Sequence, residues 1–132
     1  MSGVCGIFNL DNQPVTDAEL RSMTTMLGQR GPERTGRWQD GPAGLGHTLL
    51  ATTPELQFEF QPFVHTETGC VITADVRLDN REELIRALAF SKTLEFTGDA
   101  ELILEAYLKW GEHCPERLLG DFAFAIWDPR FR

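Results

Sequence analysis

Apolar positions recur along this chain with two periods. Val4 to Leu10 is a short, nearly continuous apolar run and reads as a buried strand. Thr16 then opens a helix, with Glu19 three residues on to complete a capping box. Leu20, Met23, Met26 and Leu27 are expected to share one face of it. Gly28 and the Gly31-Pro32 pair stop that helix. Thr35–Trp38 and Gly44–Leu50 read as strands around an Asp40-Gly41-Pro42 turn. Thr52 to Pro62 reads as irregular, because Pro54 and Pro62 interrupt any ladder. Cys70 to Ala74 is a strand. Asn80 begins a second helix, with Glu82 and Glu83 in its first turn and Leu84, Ile85 and Leu88 as its apolar stripe.

Asp99 to Trp110 is the third helix, where Ile103, Ala106, Tyr107 and Trp110 fall at i, i+3, i+4 and i+7, and Gly111 stops it. Pro115 to Leu119 adds a short helical turn. Phe122 to Trp127 is apolar on both faces, so this strand is expected to be buried on both sides. Such a strand needs neighbours on both edges, and few segments remain to supply them. The chain therefore reads as one α+β domain over residues 1–132, incomplete at its C-terminal end, within a longer protein.

The 132 residues are enough for a domain with a real core, burying roughly two thirds of the unfolded surface. A formal net charge of −8 argues against a nucleic-acid partner and against an anionic membrane surface. No apolar run approaches a membrane span, and the N-terminus lacks a signal-peptide pattern, so a cytoplasmic protein is expected. The three cysteines, Cys5, Cys70 and Cys114, are odd in number and far apart, which disfavours a disulfide framework. With His47, His65 and His113 they show no C-x-x-C or H-x-x-x-H spacing, so no metal site is assigned.

Seven short motifs, in order, carry a resemblance: Cys5-Gly6-Ile7-Phe8, Arg30-Gly31-Pro32-Glu33, Gly44-Leu45-Gly46-His47, Gln61-Pro62, Asp79-Asn80-Arg81, Gly98-Asp99-Ala100-Glu101-Leu102-Ile103-Leu104 and Leu119-Gly120-Asp121-Phe122-Ala123-Phe124-Ala125-Ile126-Trp127-Asp128. Together they resemble the class II glutamine amidotransferase domain of the asparagine synthetase family. The resemblance implies an αββα sandwich of the N-terminal-nucleophile hydrolase type. It also implies an ATP- and Mg2+-dependent synthetase domain elsewhere in the same protein, with glutamine, another amine or a peptide as substrate. Met1 to Val4, Thr52 to Glu55 and Thr73 to Arg81 resemble the branch that includes lasso-peptide cyclases, which close a macrolactam with a peptide's own amine.

Glutamine hydrolysis by such a domain needs a thiol whose own free α-amine acts as base, donors for the oxyanion, and charges that hold the glutamine. Cys5 is the candidate nucleophile, provided Met1 to Val4 are removed; otherwise it reads as a small buried residue. Asp75 and Val76 stand where family glutaminases carry Asn-Gly, so a carboxylate replaces an oxyanion donor. Leu49 stands where the family Arg clamps the glutamine carboxylate; Arg30 and Arg77 are the remaining cations with a claim on that role. His47 reads as structural. Asp99 matches the family residue that holds the substrate ammonium, and reads equally well as a helix N-cap. These departures point to a domain inactive or weak as a glutaminase. The alternatives are an active glutaminase feeding ammonia to an asparagine synthetase, and a stand-alone binding module.

Overall fold

The computed structural model describes residues 2–50, 59–88 and 97–131. Its elements run β1 (Gly3–Phe8), α1 (Asp17–Met26), β2 (Arg34–Asp40), β3 (Ala43–Leu49), β4 (Phe63–Val64), β5 (Val71–Leu78), α2 (Arg81–Ala87), α3 (Asp99–Trp110), a 3-10 segment Gly111–Arg117, and β6 (Gly120–Trp127). Two antiparallel three-stranded sheets form, in the orders β1-β3-β2 and β4-β5-β6, so the domain is α+β.

The capping box forms as the sequence predicts. Thr16 Oγ1 accepts from the Glu19 amide at 3.2 Å and the Glu19 carboxylate accepts from the Thr16 amide at 3.0 Å. The buried stripe of α1 differs from the expected one. Leu20 and Thr24 are buried, whereas Met26 is 82% exposed. Six residues past Leu20 correspond to about 240° of helical rotation, which carries Met26 off the packed face. Thr24 is admitted because β3 presents Gly46 beneath it, and its hydroxyl donates back to the Leu20 and Arg21 carbonyls. The last turn is fastened by the Thr48 hydroxyl donating to the Leu27 carbonyl at 3.1 Å.

Alternation along β3 sorts its residues. Gly44 and Gly46 face α1, while His47 on the opposite face donates a ring N–H to the Ala74 carbonyl of β5 at 3.0 Å. The Thr73 hydroxyl of β5 reaches back to the Gly46 carbonyl at 2.8 Å. The two sheets thus face one another, with α1 outside the first. Ile72, Ala74 and Leu78 of β5 turn the other way, into a cluster with Leu84 of α2 and Leu102, Ile103 and Leu104 of α3. Each large aliphatic side chain fully buried there contributes roughly 1.5–3 kcal/mol.

β5 runs four residues past the expected end at Ala74, to Leu78, because β6 pairs with it along its whole length. The expectation that β6 is buried on both faces does not hold. Phe122, Phe124 and Ile126 pack on the helix-side core, but Ala123 and Ala125 are exposed. Among the described residues β6 pairs with β5, and the first sheet reaches it near its end, where the Phe8 and Trp127 ring centroids lie 5.2 Å apart. The third helix matches its predicted bounds, and Gly111 caps it at φ +67°, a conformation costly for other residues. Residues 52–58 of the segment read as irregular lie outside the described ones.

Gly31 explains why an Arg-Gly-Pro turn follows α1. A Cβ there would collide with the Thr48 carbonyl and the Leu49 amide of β3. Gly31→Ala is expected to cost about 1–3 kcal/mol of stability, read by urea unfolding.

Candidate functional site

A cleft of about 880 Å³ opens where the ends of β3, β5 and β6 converge with the residue preceding β1. Ser2, Leu49, Glu59, Asp75, Val76 and Arg77 are among the residues that line it. Its polar contacts are few and specific. The Ser2 backbone N–H donates to Asp75 Oδ1 at 3.2 Å, and Ser2 Oγ accepts from the Leu50 amide at 3.2 Å. Gln61 Oε1 accepts from the Ala74 amide at 2.6 Å, fixing β5 beside the cleft. Glu59 Oε1 accepts from Ala100 N–H at 3.2 Å, while its Oε2 is buried with no hydrogen-bond partner among the described residues. Burial is the main cause that pushes the Glu59 carboxyl up to about 7, and Asp99 adds to it.

Four of the candidate residues meet here: Leu49, Asp75, Val76 and Arg77. Leu49 is 3% exposed and gives the cleft an apolar wall. Asp75 supplies a carboxylate, which accepts hydrogen bonds and gives none to a developing oxyanion. Val76 also packs against the helix-side core. Arg77 lines the rim, with its guanidinium 3.1 Å from Asp121 and 3.6 Å from Asp79.

The other candidates sit elsewhere. Cys5 pairs in register with Gly46 and lies on the α1 side of β1; a Cβ on Gly46 would stand 2.7 Å from its sulfur and 2.6 Å from Thr24. Burial pushes its thiol up, so the reactive thiolate is disfavoured. Arg30 is exposed in the turn after α1. Asp99 neither lines the cleft nor caps its helix, since Gly98 is the N-cap. Its carboxylate accepts from the Leu78 amide at 3.0 Å and pairs with Arg81, clamping α3 to β5 and α2. His47 is buried, and burial pulls its ring below the usual histidine range, so it serves as a neutral donor between the sheets.

Ser2 and Glu59 are the cleft residues the sequence reading passed over. Ser2 was legible from strand parity: it and Cys5 are separated by an odd number of positions, so they face opposite ways on an extended chain. Glu59 carried no such signal, since it falls in a segment without periodicity.

Two facing antiparallel sheets with flanking helices make an α+β domain compatible with an amidotransferase-type fold. The comparison with known proteins agrees: the glutamine amidotransferase domain family matches residues 1–132, and the chain belongs to it, as a class II domain of the asparagine synthetase family. It is 33% identical over 134 residues to glutamine-hydrolyzing asparagine synthetase 3 of Bacillus subtilis, covering 98% of this chain and 22% of that protein. It is 28% identical over 124 residues to amidase chry2 of Gibberella zeae, covering 92% of this chain and 18% of that protein. With the glutamine-hydrolyzing asparagine synthetase of Asparagus officinalis the identity is 29% over 131 residues, 96% of this chain and 22% of the relative. The chain thus spans about a fifth of the length of these relatives.

Proposed function

We propose that this chain is the N-terminal amidotransferase-like domain of an ATP-dependent, asparagine synthetase-type amide-forming enzyme, and that it does not hydrolyse glutamine. One observation carries the reading: the Asp75 carboxylate occupies the cleft beside Ser2, where hydrolysis requires a donor. Losing one oxyanion donor costs about 2.7–4 kcal/mol of barrier, and a carboxylate in its place adds repulsion. The apolar Leu49 wall and the placement of Cys5 away from the cleft support the same conclusion.

The facing sheets and flanking helices are, in this reading, the core of an αββα sandwich of the N-terminal-nucleophile type. ATP and Mg2+ belong to the synthetase domain of the same cytoplasmic protein, against which this domain packs. Within the family we favour a lasso-peptide macrolactam cyclase, whose acceptor amine comes from its peptide and makes ammonia unnecessary. The test is the full-length enzyme carrying Cys5→Ala. Amide formation within twofold of wild type is expected, with ATP consumption unchanged. A hundredfold loss without loss of folding would give Cys5 a chemical role and overturn the proposal.

A further inference from the structure

We propose that Glu59 is a proton-controlled latch on the cleft wall: protonated, its carboxyl caps α3 from outside that helix; ionised, it swings into the cleft and releases the first turn of α3. The inference does not depend on whether the domain hydrolyses glutamine.

α3 begins without a side-chain cap of its own, because its N-cap is Gly98. Glu59 supplies the missing acceptor. Its Oε1 takes the Ala100 N–H at 3.2 Å, and that amide belongs to the first turn, which has no acceptor within the helix. The fit is close enough to select glycine at position 98, since a Cβ there would stand 2.8 Å from Glu59 Cδ and Oε1. The backbone around Glu59 is held separately. Its carbonyl accepts from Arg34 of β2 at 2.8 Å, and Gln61 is tied to the Ala74 amide of β5. The carboxyl can therefore leave by side-chain rotation while its backbone stays. Glu59 also lines the cleft, so that rotation ends in open volume.

The latched position disfavours a charge. Oε2 is buried with no hydrogen-bond partner among the described residues. On α3 the nearby charged groups are Asp99 and, one position past Ala100, Glu101. Arg81 of α2 is already paired with Asp99, and Arg34 of β2 is engaged at the Glu59 carbonyl. Asp75 of β5 lines the same cleft, where Arg77 and Asp121 pair with each other at the rim. His47 of β3 is held neutral. Burial is the largest cause that raises the latched carboxyl from 4.5 to about 7; the Ala100 amide opposes it, Asp99 adds to it and Arg81 opposes it. A raised carboxyl favours the latched state fully below about 4.5, and that advantage is lost as pH rises through about 7. Once released, the carboxylate joins Asp75 in the cleft. The added negative charge repels a ligand carboxylate and favours a cation.

The experiment is amide hydrogen exchange of α3 in purified full-length protein, read by mass spectrometry at several urea concentrations below the unfolding transition. Protection is expressed against unfolded-chain rates at each pH. In wild type the first turn of α3 is expected to exchange through a local opening that barely responds to urea, whereas the buried middle of the helix follows urea as global unfolding does. Protection of the first turn should fall about tenfold or more between pH 5 and pH 8. In Glu59→Gln, which keeps an acceptor but has no proton to lose, first-turn protection should be the same at both pH values. Unchanged first-turn protection in wild type across that range overturns the proposal. So does a urea response as steep as that of the middle of the helix, because α3 would then open only by global unfolding. An equal fall in Glu59→Gln overturns it as well, by assigning the proton to another group. If that variant fails to fold, the urea and pH responses of wild type decide the matter alone.

Discussion

Ile103→Ala is expected to lower the unfolding free energy by about 2–5 kcal/mol, a large part of the roughly 5–15 kcal/mol available to a domain of this kind. Ile103 is fully buried on α3, within the cluster that joins β5 to α2 and α3. Removing its outer carbons loses transfer energy and leaves a cavity that a sheet on one side and helices on the other resist closing. Met26→Ala is the internal comparison. Sequence periodicity placed both residues on packed faces, yet Met26 is 82% exposed, so its truncation should change stability by no more than about 0.5 kcal/mol. Urea unfolding of both variants separates the two faces. Equal effects would mean that α1 packs by its sequence stripe and not as described.

Glu59→Gln is expected to flatten the pH dependence of stability on the alkaline side. The Glu59 carboxyl is raised from 4.5 to about 7, chiefly by burial. A carboxyl raised in the folded state binds a proton more tightly there than when unfolded. Its contribution is therefore fully present below about 4.5 and is lost as pH rises through about 7. The wild type should lose about 2–3 kcal/mol between pH 5 and pH 8 that the variant keeps. The amide retains an oxygen to accept from Ala100 N–H, so the variant should fold. Urea midpoints at the two pH values measure the difference; parallel changes in both proteins would show that Glu59 ionises without cost.

How much of this was readable beforehand depends on where the information lay. The capping box at Thr16 and the bounds of α3 are local, set by spacing and by Gly111, and the structure reproduces them. The α+β class and the family were legible from motif order. Strand neighbours are not local. Phe122 to Trp127 looks buried on both faces from composition alone, and only the arrangement of the first sheet, which reaches β6 near Trp127, reveals that Ala123 and Ala125 are exposed among the described residues. Asp99 offered two sequence readings, and neither anticipated its actual partners, the Leu78 amide and Arg81. In the site, attention to thiol chemistry selected Cys5, while the geometry brings Ser2 to Asp75. Leu49, Asp75 and Val76 drew attention because they adjoin motifs that carry the resemblance; Glu59 did not, because its place comes from burial beside Ala100 and Gly98.

The most direct measurement of the central claim is glutamate release when the full-length protein is incubated with glutamine. The account predicts none above the rate without enzyme, and none from Asp75→Asn alone, since Leu49 still offers no cation to the glutamine carboxylate. Release at ordinary enzymatic rates, about 1–10³ per second, would contradict it.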